Sequence, residues 1–437
     1  MDDPNIIATL IATKSLTERA FALEHNKPRY HAPTSDTRPF SKENTPFPGE
    51  DSDDEYNDKD PKDEDYTAHR LRLTFDKPPK SMNNGFVFGW GPDCDIQLVD
   101  REDLRPGDRK KVQQVSQKHF AINFDAQRRV ILQDTSTNGT SISYDGKAGE
   151  EIRSHFTWII FPDIKNIEVS IPRANLSFKI KLGSYDSCKA QFYANVDAVF
   201  PPKSILGRSG LASPIRQLKM RSGDTSIATS GAATPRHGPI YLAREQLGKG
   251  SFGEVYIVVD VSTGNQYAGK SFFRRDHTLD REVAVMKALT HEHIVRFVNF
   301  REKPTPLLVM QYLPLGNLAD AHRASPIAFE ETVALLSQAL QGLEYLNSRG
   351  FIHRDIKPAN ILISYRTPLT IKLADFGLAK HDRNGRTNFK TFVGTHLYAA
   401  PEIYTGEQRP YTYAVDIWSL GIVALELAYG LPEAEPG

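Results

Sequence analysis

Three glycines open the chemistry of this sequence. Gly248, Gly250 and Gly253 stand between two strand-like runs, in LGKGSFGEV. Glycine has no Cβ, so its backbone can approach a phosphate closely. The spacing alone is weak evidence. A dinucleotide-binding fold would open a helix at the third glycine. Here EVYIVVD continues as a strand, which favours a hairpin lid over a nucleotide. Lys270, in YAGK, follows on the next strand-like run, and Glu282, in REVAVMKAL, on the next helical stretch. A lysine so placed can pair with the glutamate and hold phosphates as a point charge. HRDIKPAN then supplies Asp355, Lys357 and Asn360, DFG supplies Asp375, Phe376 and Gly377, and AAPE supplies Ala400, Pro401 and Glu402. Singly, each has a plain structural reading: Lys270–Glu282 an ion pair, Asp355 a cap, Asp375 a turn residue. Together, in this order, they ask for phosphoryl transfer.

These side chains need a scaffold. From Tyr241 the chain reads as strands first (EVYIVVD, QYAGKSFF, HIVRFVNF, LLVMQYL) and helices later (FEETVALLSQALQGLEYLNSRG and the stretch from Asp416), an α+β or two-lobed pattern. Ile417, Trp418, Leu420, Ile422, Val423, Leu425 and Leu427 make the last helix apolar on every face, so it asks to be wrapped by protein. Residues 67–183 differ. Short β-branched and aromatic runs such as RLRLTF, GFVFGW and LSFKIKL alternate with turns at Asn84-Gly85, Asn138-Gly139 and Asp145-Gly146, which predicts an all-β sandwich or barrel.

The remainder carries little periodicity. Residues 1–66 read as a disordered segment, apart from an apolar patch at Ile6–Ile11; Glu50–Asp65 holds ten acidic and two basic residues. Residues 184–238 read as a flexible linker, and Pro201–Ile240 carries six Lys or Arg against one Asp. Ser213-Pro214 and Thr234-Pro235 there are turn dipeptides or phosphorylation sites. Across all 437 residues 54 Lys and Arg balance 54 Asp and Glu, so charge predicts no polyanion partner and no direct nucleic-acid binding. Two cysteines make no disulfide framework, the N-terminus lacks a signal-peptide pattern, and no stretch has the length of a membrane span. The expected setting is intracellular, nuclear or cytoplasmic.

The ordered motifs closely resemble the eukaryotic protein kinase family over residues 241 to about 430. The resemblance implies a two-lobed kinase fold over 239–437 with ATP and Mg²⁺ as cofactors. Asp355 would orient the substrate hydroxyl and accept its proton, and Asn360 and Asp375 would hold Mg²⁺. Lys357 would meet the γ-phosphate, as in Ser/Thr-directed members, and Thr395 points the same way. Leu247, Gly248, Gly250, Gly253, Val255, Ala268 and Lys270 would surround the nucleotide; Met310 would be the gatekeeper, with Gln311 and Leu313 offering backbone to adenine. Arg354 would pair with a phosphorylated activation loop, at Thr387 or Thr391. Asp416 would anchor the loop around Arg354. In that family further helices follow and bury the closing helix, and one carries an arginine that pairs with Glu402. By that measure the C-lobe reads as cut short, in a fragment, a truncated gene product or a form of weak activity.

FVFGWGPDCDIQL, VSQKHFAI and LQDTSTNGTSI resemble the forkhead-associated (FHA) domain over about His69–Leu182. The resemblance implies a β-sandwich that binds phosphothreonine peptides. Ser116 and Thr137 would touch the phosphate, Asn138 the peptide backbone, and His119 would brace the loop; plain turn capping is the other reading of Ser116 and Thr137. One departure matters. The family places Gly-Arg where this chain has Gly89-Trp90, and an indole cannot form bidentate bonds to phosphate. Arg109, Lys110 and Lys111 are the substitutes visible in sequence. The whole chain thus resembles a fungal-type checkpoint kinase of the DNA-damage response, although its only Ser-Gln dipeptides, Ser116-Gln117 and Ser337-Gln338, lie inside the two domains. The expected partners are protein substrates and phosphothreonine proteins. The alternatives are a phosphopeptide-binding scaffold whose kinase portion does not turn over, and an interaction protein in which both modules are degenerate.

Overall fold

The computed structural model describes residues 2–33, 68–100, 110, 113–149, 151–200, 238–250, 253–275, 277–381, 396–404 and 412–430. The acidic run, Arg109, Lys111, Ser213, Thr234, Thr387, Thr391 and Thr395 lie outside the described residues. The chain divides into two units, Met1–Leu242 with Val261–Gly264, and Ala243–Asp260 with Asn265–Gly437.

The first unit is built of two sheets. β1 (Ile6–Ala12), β2 (Tyr30–His31), β3 (Arg70–Thr74), β8 (Ser141–Tyr144), β10 (Ile167–Ile171) and β11 (Leu176–Leu182) form one, in the order β2-β3-β1-β11-β10-β8. β4 (Phe86–Gly89), β5 (Ile96–Gln97), β6 (Phe120–Phe124), β7 (Val130–Asp134) and β9 (Thr157–Ile159) form the other, in the order β5-β4-β6-β7-β9. They share one apolar core, where Phe88 of β4 stacks on Phe178 of β11 at 6.3 Å between centroids. The all-β expectation for this part of the chain holds.

Two expectations of disorder fail within the described residues. Ile6–Ala12 is a central strand, with Leu10 opposite Ile180 on one side and Leu71 on the other. Ile7, Ala8 and Leu10 are fully buried. Four large apolar residues and two alanines in seven suit a strand covered on both faces, and α1 (Ser15–Phe21) then packs Phe21 into the same core. In the stretch read as linker, α2 (Lys189–Val199) buries Phe192 and Val196, four residues apart on one face. Tyr185 stacks on Phe192 at 3.8 Å.

The second unit is α+β. A five-stranded sheet runs β12-β13-β14-β16-β15, from β12 (Tyr241–Lys249), β13 (Gly253–Asp260), β14 (Gln266–Phe272), β15 (Phe297–Arg301) and β16 (Leu307–Gln311). α3 (His277–Ala288) accompanies it. The remainder holds α4 (Leu318–Ala324), α5 (Phe329–Ser348), short hairpins from β17 (Phe351–Ile352) to β20 (Lys380–His381), α6 (Pro401–Tyr404) and α7 (Ala414–Tyr429). β18 (Ile361–Arg366) and β19 (Leu369–Leu373) form one of those hairpins. α5 is held at its start by Glu331, whose carboxylate accepts the Ala328 N–H, and it ends at Gly350, at φ 74°. α7 buries Val415, Leu420, Val423 and Leu427. Its other face is open: Trp418 is 47% exposed and Leu425 52%.

Candidate active site

Neighbouring strands carry the first group of side chains. β13 and β14 pair Val255 with Lys270 and Ile257 with Ala268, while β14 and β16 pair Ala268 with Met310 and Tyr267 with Gln311. Val255, Ala268, Lys270, Met310 and Gln311 therefore occupy one patch of sheet. Ala268 and Leu313 are buried, and Leu247 on β12 is 45% exposed. The three glycines differ in what holds them. A Cβ on Gly253 would lie 2.2 Å from the Ser271 carbonyl oxygen, so the hairpin itself demands glycine there. Among the described residues, a Cβ on Gly248 would meet nothing within 4 Å, and one on Gly250 only the Gly253 carbonyl at 3.9 Å. Those two glycines border open space, as a phosphate cradle requires.

Lys270 sits at the centre of the charges. Its Nζ lies 2.7 Å and 3.0 Å from the two oxygens of Glu282 and 2.9 Å from Oδ1 of Asp375. Burial alone would lower the lysine, but Asp375 and Glu282 outweigh it and hold the ammonium above its ordinary value. Burial raises the Glu282 carboxyl, and Lys270 offsets only part of that. Burial also pulls Asp375 upward, yet Lys270, the Gly377 N–H and His353 leave it below the usual carboxylate range. Asp375 thus stays an anion, and its side chain is half exposed, at 49%, while Glu282 is sealed at 2%. Glu282 can only position the lysine. Asp375 can still reach a ligand.

The second group comes from the loop after β17. Asp355 Oδ2 accepts from Lys357 Nζ at 2.9 Å and from Asn360 Nδ2 at 2.8 Å. The same Asn360 nitrogen reaches the Asp355 carbonyl, also at 2.8 Å. Asn360's amide nitrogen is spent on Asp355, which leaves its amide oxygen to serve a cation. Ala374 N–H donates to the Asn360 carbonyl at 2.9 Å and so ties this loop to the Asp375 segment. Asp416, buried on α7, accepts the N–H groups of His353 and Arg354 at 2.8 Å each. Arg354 and Asp375 both adopt left-handed backbone, at φ 68° and 62°. Such residues cost about 1–3 kcal/mol each and persist where their surroundings over-determine them.

His353 is the member that motif reading leaves without a role. Fully buried, it joins the Ala374 carbonyl at 3.0 Å and packs its ring 4.9 Å from Phe376. The signal was its place directly before Arg354-Asp355, inside an already chemical motif. Arg354 Nε donates to the Leu378 carbonyl at 2.7 Å.

The residues present fit a magnesium–nucleotide. Among the described residues no three His, Cys, Asp or Glu side chains converge as a self-sufficient metal site. Asp375 and Asn360 instead offer two hard oxygens, the modest donor set Mg²⁺ uses when phosphates supply the rest.

In the first unit, the loops after β4, before β6 and before β8 meet. Trp90 N–H donates to the Ser116 carbonyl, and Thr137 N–H to Ser116 Oγ at 3.3 Å. Asn138 Nδ2 donates to the Gln114 carbonyl at 2.9 Å. Ser116 N–H donates to His119 Nδ1 at 3.0 Å. Burial pushes the His119 imidazole down, and because Nδ1 accepts the Ser116 N–H it is the nitrogen without a proton. Asp134 is the buried hub, accepting from Ser136 N–H and Oγ, Thr140 Oγ1 and His155 N–H. Asp134→Ala would orphan several buried donors at about 1–3 kcal/mol each. We expect the first unit to lose about 3 kcal/mol or more, read by urea unfolding; a wild-type midpoint would contradict this. Of the cations proposed to replace the absent arginine, Lys110 is described and exposed.

Comparison with known proteins agrees with both halves. The protein kinase domain family matches residues 241–435, and the FHA domain family residues 86–155. Serine/threonine-protein kinase RAD53 of Saccharomyces cerevisiae is 29% identical over 377 residues, covering 81% of this chain and 42% of that protein. Serine/threonine-protein kinase shk1/pak1 of Schizosaccharomyces pombe is 30% identical over 297 residues, covering 64% and 43%. The chain thus spans less than half the length of these curated relatives. A crystal structure of Rad53 1-466 in complex with AMP-PNP aligns with a TM-score of 0.46 and 24% identity, over 82% of this chain and 78% of that one. On the two family matches, residues 241–435 are a protein kinase domain, and residues 86–155 lie in an FHA domain.

Proposed function

We propose that this chain transfers the γ-phosphoryl group of ATP to Ser or Thr hydroxyls of protein substrates, guided by an FHA module that reads phosphothreonine. The observation that carries the reading is Lys270 held between Glu282 and Asp375, with Asp355 and Asn360 joined beside them. Lys270 grips the α- and β-phosphates as a buried, fully charged ammonium. Asn360 and Asp375 would hold Mg²⁺. When bound, the ion draws charge from the phosphate oxygens. Asp355 orients the incoming hydroxyl and takes its proton, with Lys357 beside it to neutralise the phosphoryl oxygens. Gln311 and Leu313 offer backbone to adenine beside Met310, and a phosphate on Thr387 or Thr391 would order the activation loop through Arg354.

In the first unit Ser116 and Thr137 would meet the peptide phosphate and Asn138 its backbone. Among the described residues no helix is long and apolar enough to cross a membrane, and we place the protein inside the cell, in the nucleus or cytoplasm. The pairing of modules and the similarity to RAD53 favour checkpoint signalling as the pathway. The direct test incubates the purified chain with γ-labelled ATP, MgCl₂ and a generic protein substrate. Label on phosphoserine and phosphothreonine is the expected result. No transfer, even after phosphorylation of the loop by an added activating kinase, would overturn the enzymatic reading.

A further inference from the structure

The reader site lacks a guanidinium at its usual place, and the fold brings another to its rim. β10 lies antiparallel to β8, with Ser170 opposite Ser141. The turn after β10 therefore falls beside the loop that leads into β8, which carries Thr137 and Asn138. That turn is tight: Ile171 pairs with Leu176, and only Pro172, Arg173, Ala174 and Asn175 lie between. Ala174 is fully buried, Asn175 closes the turn at φ 56°, and its N–H donates to the Pro172 carbonyl at 3.1 Å. Arg173 thus stands on a rigid base between a proline and a buried residue. Its Nη1 donates to Asn138 Oδ1 at 3.1 Å, and the residue is exposed.

This contact completes a chain of hydrogen bonds through the reader loops. Asn138 receives Arg173 on its oxygen and donates its nitrogen to the Gln114 carbonyl, two residues before Ser116. Ser116 Oγ in turn accepts the Thr137 N–H. One Nη1 bond leaves most of the five guanidinium donors to spare. A second cation shares the turn, since Lys14 Nζ donates to Asn175 Oδ1 at 3.1 Å. Trp90 meanwhile keeps its backbone tied to the Ser116 carbonyl and packs against the core, so its side chain brings bulk and no charge.

We propose that Arg173 supplies the guanidinium that grips the phosphate of a phosphothreonine peptide, in place of the arginine absent at Trp90. The inference rests on the phosphothreonine-reader function proposed above. Guanidinium suits the task because its planar fork can form two parallel bonds to a phosphate while a third donor stays on Asn138. Lysine could supply charge but no fork.

The test titrates the full chain with a fluorescent peptide pool, degenerate around one fixed phosphothreonine, and with its unphosphorylated twin. Wild type is expected to prefer the phosphorylated pool. Arg173→Gln should weaken phosphopeptide binding about ten- to hundred-fold and leave the unphosphorylated pool unchanged. Arg173→Lys should recover part of the loss. Ser116→Ala serves as the control for the reader itself, and thermal melts confirm that each variant folds. If Ser116→Ala weakens phosphopeptide binding and Arg173→Gln binds like wild type, the reader stands and the Arg173 assignment falls. If wild type binds both pools alike, the reader function falls and the assignment with it.

Discussion

Asparagine at position 355 is expected to cut phosphotransfer about 10²–10⁴-fold while nucleotide binding survives. The amide keeps the size and shape of the carboxylate but cannot accept a proton. In the native loop Asp355 Oδ2 receives both Lys357 and Asn360, and the side chain is 10% exposed, so its position is already fixed. Lys270, Glu282 and Asp375 are held by bonds to one another, so the nucleotide's own grip should persist. Labelled-phosphate transfer and nucleotide titration of the same preparation check the two halves separately. Near-native turnover by the Asp355→Asn protein would remove Asp355 from the chemistry.

Asp416→Ala is expected to cost the second unit about 2–6 kcal/mol. The buried amide of His353 and the part-buried amide of Arg354 would lose their acceptor together, and each orphaned N–H costs about 1–3 kcal/mol. The loss should spread beyond stability. Arg354 is held at φ 68°, a conformation that nothing local favours, and Asp416 is one of the groups that imposes it. Freed, the backbone would relax and move Asp355, the next residue. Urea unfolding, with hydrogen exchange of peptides from 351–378, reads both effects. A variant with native stability and native protection across that loop would contradict the assignment.

The sequence made the catalytic motifs legible because each is short and its members are neighbours. HRDIKPAN and DFG name Asp355, Asn360 and Asp375 before any fold is known. What joins them is long-range: Lys270 meets Asp375 across 105 residues, and Asp416 reaches back 62 to Arg354. The strands of the first unit were legible from alternation and turns. β1 was not, because its partners, β3 and β11, lie far along the chain, and the acidic run after it lent the whole segment a disordered look. α2 hid because it is short, buries only Phe192 and Val196, and runs directly into the Pro-, Ser- and Gly-rich stretch after Phe200. Arg173 carries no local signal at all. Its place follows from the β8–β10–β11 register, and Pro172-Arg173-Ala174-Asn175 reads in sequence as an ordinary turn.

One melting experiment decides most directly whether Lys270, Asn360 and Asp375 meet around a magnesium–nucleotide. The full chain is heated alone, with ATP, and with ATP plus MgCl₂. Binding to the folded state alone adds about 2.7 kcal/mol at a ligand concentration a hundredfold above Kd. The transition of the second unit should therefore rise by several degrees, most with both components, and the rise should vanish in Lys270→Met and Asp375→Asn. A melting profile that ignores millimolar ATP and magnesium would mean that these side chains do not form a nucleotide site.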